Sequence, residues 1–153
     1  HLCVLHAGEV FAPARVVGSF SASINFQPAG APVPAGYLAD TGAAFGARSG
    51  QSFGWDVDNS AGTRDRNSPR APDQRYDTLN HMQRSGNRRW EIAVPSGRYS
   101  VRIVAGDADF FDGHFKIDVE GVRAIDHRPT TTARFADRTI TVNVSDGRLT
   151  LTN

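Results

Sequence analysis

The sequence predicts an all-β protein, built as an antiparallel β-sandwich with little or no helix. Apolar residues alternate with polar ones through most of residues 89–121, which is the period of half-buried strands. Turn signals separate the candidate strands, such as PSG at residues 95–97 and SDG at residues 145–147. No segment has the i, i+3, i+4 apolar stripe of an amphipathic helix, and Gly and Pro interrupt most candidate windows.

Residues 89–121, RWEIAVPSGRYSVRIVAGDADFFDGHFKIDVEG, show the clearest alternation and are predicted to form three consecutive strands. Each strand directs one set of side chains inward and the other toward solvent. The predicted inward residues are Trp90, Ile92, Val94, Tyr99, Val101, Ile103, Phe115, Ile117 and Val119. A loop at residues 106–113 connects the second strand to the third.

The rest of the chain supplies shorter candidates, which brings the prediction to about eight to ten strands. In order, these candidates lie at residues 2–5, 15–20, 23–27, 52–57, 77–83, 139–144 and 148–152. Loops are predicted at residues 28–36, 37–50 and 58–72, which are rich in Pro and Gly or lack apolar periodicity. Residues 134–138 are predicted to form a charged turn.

Length and composition favour one soluble globular domain. We expect an N-terminal strand and lead-in at residues 1–22 and the core at residues 23–153. The net charge of +1 gives no bulk field that would attract nucleic acid, and no apolar run is long enough to insert into a membrane. The single cysteine, Cys3, excludes an intrachain disulfide, and beside Leu2 and Val4 it is predicted to be a buried hydrophobe.

The loop at residues 106–113 is the first candidate site because it combines aromatic rings with carboxylates. Its polar and aromatic side chains are Asp107, Asp109, Phe110, Phe111 and Asp112. Sugar recognition needs a flat apolar face for stacking and polar groups that hold the hydroxyls. Adjacent phenylalanines in a loop point in different directions, so we expect at least one, and Phe110 before Phe111, to reach the surface. The alternative is that one ring plugs the end of the sandwich and the aspartates form turns.

The long polar segment at residues 58–72 carries a second set of candidates. These are Arg64, Arg66 and Asn67, within the stretch TRDRN. Their guanidinium groups can bind sugar hydroxyls or a uronate, but an ion-pair network that holds the long loop is the favoured interpretation. Tyr76 is either a platform for a sugar or a half-buried tyrosine with a hydrogen-bonded hydroxyl. A complete site requires both loops and Tyr76 to converge.

Three stretches resemble a known kind of module: SFGWDVDNSAGTRDRNSPRAPDQRYDTLNHMQ, WEIAVPSGRYSVRIVAGD and TITVNVSDGRLTLTN. They are similar to the galactose-binding-like domains of bacterial extracellular polysaccharide-active proteins, namely malectin-like and family-35-like carbohydrate-binding modules. The resemblance implies a jelly-roll sandwich that is secreted and non-catalytic. It also implies binding of a polysaccharide or oligosaccharide through loop aromatics and polar side chains.

The resemblance further implies that a structural calcium ion is often present. Calcium prefers six to eight oxygen ligands, including carboxylates and backbone carbonyls. The side chains that can supply them here are Asp40, Asp56, Asp58 and Glu9. No EF-hand spacing or other linear signature accompanies these residues.

The two ends of the chain differ from the pattern of such modules. One more strand usually follows a piece such as GRLTLTN, whereas here an extra apolar strand, HLCVL, lies at the start of the sequence. We therefore expect residues 2–5 to take the closing position beside residues 147–152, because an unclosed sheet leaves unpaired edge groups. Insertion into a neighbouring copy, rather than into its own sandwich, would make the protein self-associate.

The sequence contains no nucleophile elbow, zinc-protease or phosphate-loop motif, so no enzyme is predicted. His1 raises one alternative, because an N-terminal histidine can chelate copper as in lytic polysaccharide monooxygenases; the surrounding sequence does not resemble those enzymes.

The competing class is a structural, adhesive or self-assembling sandwich without a sugar site. Aromatic rings exposed beside polar groups would favour sugar binding, and buried rings would favour the structural role.

Overall fold

The computed structural model describes residues 2–9 and 20–153, and this part of the chain is built almost entirely from β-strands. One sheet contains seven strands: β1 (Leu2–Glu9), β2 (Ser21–Phe26), β3 (Leu38–Asp40), β6 (Thr63–Asp65), β7 (Thr78–Asn80), β9 (Gly97–Gly106) and β12 (Phe135–Val144). The other contains six: β4 (Gly46–Arg48), β5 (Gln51–Trp55), β8 (Trp90–Ala93), β10 (Phe115–Val119), β11 (Val122–His127) and β13 (Arg148–Thr152). The described helical pieces are a 3₁₀ turn (Ser60–Gly62) and the one-turn helix α1 (Gln74–Asp77). The all-β prediction is confirmed.

The two sheets pack face to face around one core. The larger sheet has the order β12-β9-β1-β2-β3, with β7 beside β1 and β6 beside β7, and the smaller has the order β11-β10-β13-β8-β5-β4. Neighbouring strands are antiparallel except for β2 and β3. The fully buried side chains come from both sheets, and the largest are Trp55, Trp90, Tyr99, Phe26, Phe53, Leu2, Leu5 and Ile24. This arrangement is a β-sandwich.

A buried carboxylate joins the two sheets inside this core. Trp55 Nε1 donates to Asp40 Oδ1 at 2.8 Å, and Trp90 Nε1 donates to Asp40 Oδ2 at 2.7 Å. The backbone N–H of Gly42 also donates to Asp40 Oδ1, at 2.8 Å. Burial raises the pKa of Asp40, and the indole and backbone donors oppose that rise. Asp40 thereby ties β3 of one sheet to β5 and β8 of the other.

The N-terminal strand lies inside the larger sheet and not at an edge. β1 pairs with β9 on one side and with β2 on the other. The last strand, β13, pairs with β8 and β10 in the opposite sheet. The expectation that residues 2–5 close the sheet beside residues 147–152 is therefore wrong. Leu2 and Leu5 are fully buried, and both edges of β1 are hydrogen-bonded within its own chain.

Residues 134–138 do not form the predicted turn, because most of this segment opens strand β12. Ala136 is buried while Asp137 and Arg138 face solvent, so within residues 134–138 the core receives one small side chain, and Val142 and Val144 follow further along the strand. Its pairing with β9 extends from Phe135 to Val144 and makes one of the longest ladders of the fold.

The segment at residues 77–83 is only partly a strand. It contains β7, which follows α1, and Asp73 caps α1 by accepting a hydrogen bond from Arg75 N at 2.9 Å. Short strands also occur in segments predicted as loops, which raises the number of strands in the described residues to thirteen. Most of the candidate strand at residues 15–20 lies outside the described residues. No helix within residues 2–9 and 20–153 is long and apolar enough to cross a membrane.

Cys3 lies in a second, smaller apolar cluster on the larger sheet. The buried members of this cluster are Cys3, Leu79 and Val104, with Tyr37, Tyr76 and Phe135 packed against them. The thiol of Cys3 contacts the carbonyl oxygen of Gly106 at 3.4 Å. Burial raises the pKa of the Cys3 thiol to about 12, so the thiolate does not form near neutral pH. Cys3 is a buried hydrophobe, as predicted.

Candidate functional site

The two predicted polar loops meet at the end of the sandwich where β9 terminates. Arg66 follows β6, and Asp107 follows β9. Arg66 Nε donates to Asp107 Oδ1 at 3.0 Å, and Arg66 Nη2 donates to Asp107 Oδ2 at 2.6 Å. The Asp107 side chain is fully buried, and that of Arg66 is 17% exposed. This bidentate pair holds the two loops side by side.

Further contacts extend the junction. Asp107 Oδ1 also accepts hydrogen bonds from the backbone N–H groups of Asp109 and Phe110, at 3.0 and 3.3 Å. Asp109 Oδ1 in turn accepts from Ser68 Oγ at 2.7 Å and from Arg70 Nη1 at 3.0 Å. The hydrogen bond from the Ser68 hydroxyl and, with a smaller effect, the hydrogen bond from Arg70 hold the pKa of Asp109 below its usual value. The carboxylates of Asp107 and Asp109 therefore hold the two loops together as members of an ion-pair network.

Both loop phenylalanines reach the surface. Phe110 is 52% exposed and Phe111 is 42% exposed. The Arg66 guanidinium carbon lies 4.5 Å from the centre of the Phe110 ring, and that of Arg134 lies 5.2 Å from the centre of the Phe111 ring. These cation–π contacts orient the rings without burying them. Neither ring plugs the end of the sandwich.

Phe110 forms one wall of a groove made of two adjoining hollows, which we call the loop groove. The outer hollow, of about 250 Å³, is lined by Arg64, Arg66, His81, Phe110 and Asp112. The inner hollow, of about 280 Å³, is lined by His81, Met82, Gln83, Arg84, Asp112, Gly113, His114, Phe115, Lys116, Ile117 and Asn153. The hollows share His81 and Asp112, so they lie next to each other. Buried Met82, Phe115 and Ile117 supply its apolar floor, and charged side chains supply its rim.

His81 stands where the two hollows meet. Its Nδ1 lies 2.7 Å from the carbonyl oxygen of Gly62, which positions the ring relative to the 3₁₀ turn. Burial lowers the pKa of His81, so the imidazole is neutral near pH 7. Because the Nδ1–H of the neutral ring donates to this carbonyl oxygen, its Nε2 can act as an acceptor for a hydroxyl group.

The other predicted binding residues lie outside the groove lining. Tyr76 is half-buried: its hydroxyl accepts from Arg102 Nη2 at 3.2 Å, and its ring lies edge-on to Phe135 at 5.2 Å between ring centres. Asn67 is exposed with a positive φ of 49° and forms a turn closed by Asp65. Of the residues named from the sequence, Phe110, Arg64, Arg66 and Asp112 line the groove, and Asp107 and Asp109 support it.

Sequence reasoning did not select several groove residues. These are His81, Met82, Arg84, His114 and Lys116. The first three lie in or just after the segment at residues 77–83, which was predicted as a strand. The poor apolar periodicity of that segment was the available signal for irregular structure. His114 follows the two phenylalanines closely, so proximity to an exposed aromatic pair could have indicated it.

The three predicted calcium ligands whose side chains the structure describes, Asp40, Asp56 and Asp58, are not gathered into one metal site. Asp40 is buried against the two indoles, Asp56 is exposed, and Asp58 Oδ1 accepts from Ser60 N and Oγ at 2.9 and 2.6 Å. The pKa of Asp58 is lowered by these Ser60 contacts. The side chain of Glu9 and all of His1 lie outside the described part of the chain. Among the described residues, no group of three or more His, Cys, Asp or Glu side chains is placed to hold a metal ion.

The loop groove has the features of a small-molecule or polymer binding site: a concave form, an apolar floor, an exposed ring and a polar rim. In comparisons with known proteins, no family model, no curated protein and no solved structure matches this chain.

Proposed function

We propose that this domain is a non-catalytic carbohydrate-binding module of an extracellular protein and that it binds its glycan in the loop groove. The observation that carries the proposal is Phe110, a half-exposed ring that contacts the guanidinium of Arg66 and lines an open, polar hollow. Such a ring can stack on the apolar C–H face of a pyranose while neighbouring donors and acceptors hold its hydroxyls. On this proposal, the sandwich has the jelly-roll connectivity of the modules that the sequence resembles.

The chemistry of the rim also supports a polar, hydroxyl-rich ligand. Arg64 supplies donors, His81 Nε2 and Asp112 supply acceptors, and all three residues line the outer hollow beside the Phe110 ring. A depression of about 250 Å³ that is open to solvent suits one or two sugar units of a longer chain better than an enclosed small molecule.

The alternative, a structural or self-assembling subunit, receives less support from the described residues. Its N-terminal strand was expected to complete either its own sheet or a neighbour's sheet, and β1 is paired on both sides in its own sheet, which disfavours the self-assembling form. Contiguous apolar surface patches mark adhesive surfaces, and the exposed large hydrophobic side chains among the described residues are Val33, Val57, Val122 and the adjacent pair Phe110 and Phe111.

Replacing Phe110 with alanine is expected to weaken glycan binding by at least about tenfold, because a stacked phenylalanine contributes about 1.5–3 kcal/mol. The measurement is affinity electrophoresis of the full chain against a panel of soluble polysaccharides that includes xylan, galactomannan, pectin, alginate and β-glucan.

Phe111→Ala is the matched control, since Phe111 is similarly exposed on the same loop but does not line the groove. We expect this variant to bind like the parent protein, with an unchanged thermal midpoint for both. Retarded migration that is equal for the parent and Phe110→Ala, or no retardation by any polysaccharide, would count against the proposal.

A further inference from the structure

Two arginines of the loop groove lie side by side without a carboxylate between them. Arg64 Nη1 donates to the carbonyl oxygen of Ala61 at 3.0 Å, and Arg84 Nη1 donates to the same oxygen. One carbonyl therefore holds two guanidinium groups together. Arg64 lines the outer hollow and Arg84 the inner one, so the pair spans the junction of the groove.

The positive charge of this pair is not neutralised within the described chain. Among the described residues, neither Arg64 nor Arg84 forms an ion pair, although ion pairs are common for the other arginines. Asp65, the nearest acidic residue in sequence to Arg64, accepts instead from Asn67 N and Gln74 Nε2. Desolvation lowers the pKa of Arg64, and repulsion by the charge of Arg84 lowers it further. The guanidinium nevertheless remains charged at neutral pH.

The charges in the rest of the groove lining nearly balance. Lys116 adds another cation to the inner hollow, while Asp112 is the acidic side chain of the described lining. Arg66 is already compensated by Asp107. The groove consequently keeps an excess of positive charge in a molecule whose net charge is only +1. Two unpaired guanidinium groups held close together attract an anion, because it relieves their mutual repulsion.

We propose that the Arg64–Arg84 pair binds an acidic substituent of the glycan, a carboxylate or a sulfate, and thereby makes the groove selective for acidic polysaccharides. This inference rests on the proposed glycan-binding function and specifies its ligand class. Guanidinium forks match the geometry of carboxylate and sulfate oxygens, and each charge-assisted hydrogen bond is stronger than one to a neutral hydroxyl. In this arrangement Phe110 stacks on the sugar ring, and the arginine pair binds the acidic substituent of the glycan.

The distribution of charge favours a glycan over a nucleic acid. A nucleic acid presents a charge at every nucleotide and is bound by extended basic surfaces with many phosphate contacts. Here the two adjacent unpaired guanidinium groups lie in one groove close to one exposed ring, on a molecule of nearly balanced charge.

The test is isothermal titration calorimetry of the full chain with paired probes that differ only in charge. Oligogalacturonate is compared with its methyl ester, and sulfated dextran with dextran. We expect each acidic probe to bind at least about tenfold more tightly than its neutral partner. The double variant Arg64→Gln/Arg84→Gln is expected to remove this difference while keeping polar side chains at both positions. Preference for one acidic probe over the other distinguishes carboxylate from sulfate recognition.

Arg138→Gln is the matched control, since Arg138 is exposed on β12 and belongs to no ion pair among the described residues. It is expected to bind like the parent. Equal affinity for acidic and neutral probes, with the Arg64→Gln/Arg84→Gln variant unaffected, would overturn the charge inference and leave the glycan site standing. Binding of no probe at all would overturn both. Binding of a DNA oligonucleotide as tightly as the acidic probes would show a non-specific polyanion surface and would also overturn the inference.

Discussion

Replacing Asp40 with alanine is expected to lower the free energy of unfolding by about 2–6 kcal/mol. The change leaves the indole N–H groups of Trp55 and Trp90 without an acceptor in the core, and an orphaned buried donor costs about 1–3 kcal/mol. Gly42 N loses its acceptor as well. The effect should be among the largest of any single polar substitution because Asp40 joins strands of opposite sheets.

Urea unfolding followed by tryptophan fluorescence measures this loss, since both reporters contact the altered site. Asp40→Asn is expected to be destabilised less than Asp40→Ala, because its amide retains one oxygen for an indole N–H. Asp56→Ala, which removes an exposed carboxylate of the same predicted metal set, is expected to stay within about 0.5 kcal/mol of the parent. An Asp40→Ala protein as stable as the parent would show that the indoles find other acceptors and that this account of the core is wrong.

Replacing Asp107 with alanine is expected to destabilise the fold by about 3 kcal/mol and to abolish glycan binding. The change leaves the mostly buried Arg66 without its partner and removes the acceptor for the backbone N–H groups of Asp109 and Phe110. We place the loss at the low end of the range for broken buried ion pairs because Arg66 keeps some contact with water. Without the pair, the Phe110 wall of the loop groove is no longer fixed.

Thermal unfolding and affinity electrophoresis test the two parts separately. Arg75→Gln is the matched control: Arg75 and Asp73 form a bidentate pair of the same geometry, but both side chains are about 40% exposed. Breaking this pair is expected to cost less than about 1 kcal/mol and to leave binding unchanged. If Asp107→Ala bound glycan as the parent does, the ion pair would not be what shapes the site.

The regular part of the fold follows from local pattern. β13 coincides with its prediction, and β8, β9 and β10 lie where period-two alternation indicated them. These strands each bury one face against the core, so their sequence carries the signal directly. The burial of Cys3 was likewise predictable, because a single cysteine between apolar neighbours has no disulfide partner in the sequence and packs as a small hydrophobe.

The parts that were mispredicted depend on contacts between distant residues. β12 begins at Phe135 because β9 offers a long partner, although Asp137 and Arg138 suggest a turn. β1 inserts between β2 and β9, and nothing in its short apolar stretch specifies that neighbour. Pairing of this kind is decided by the sheet as a whole, and a single strand's composition does not encode it.

The exposed phenylalanines of the candidate site were predictable from the sequence, whereas the contacts that assemble the site were not. Two phenylalanines flanked by aspartates indicated an exposed loop, and the rings of Phe110 and Phe111 are exposed. The role of Asp107 was not visible, because a carboxylate in a loop serves equally as a ligand or as the buried partner of an arginine 41 residues away. His81 and Arg84 reach the groove only through the irregular backbone after β7.

The most direct test of the central claim is to map where a glycan touches the full chain, by titrating ¹⁵N-labelled protein with a tetragalacturonate and with a xylotetraose in ¹H–¹⁵N correlation spectra. We predict that the shifted backbone amides cluster around the loop groove, at Arg64, Arg66, His81, Phe110 and Asp112. Shifts confined to the opposite end of β9, around Ser96 and Asp146, or spectra unchanged by both sugars would contradict it.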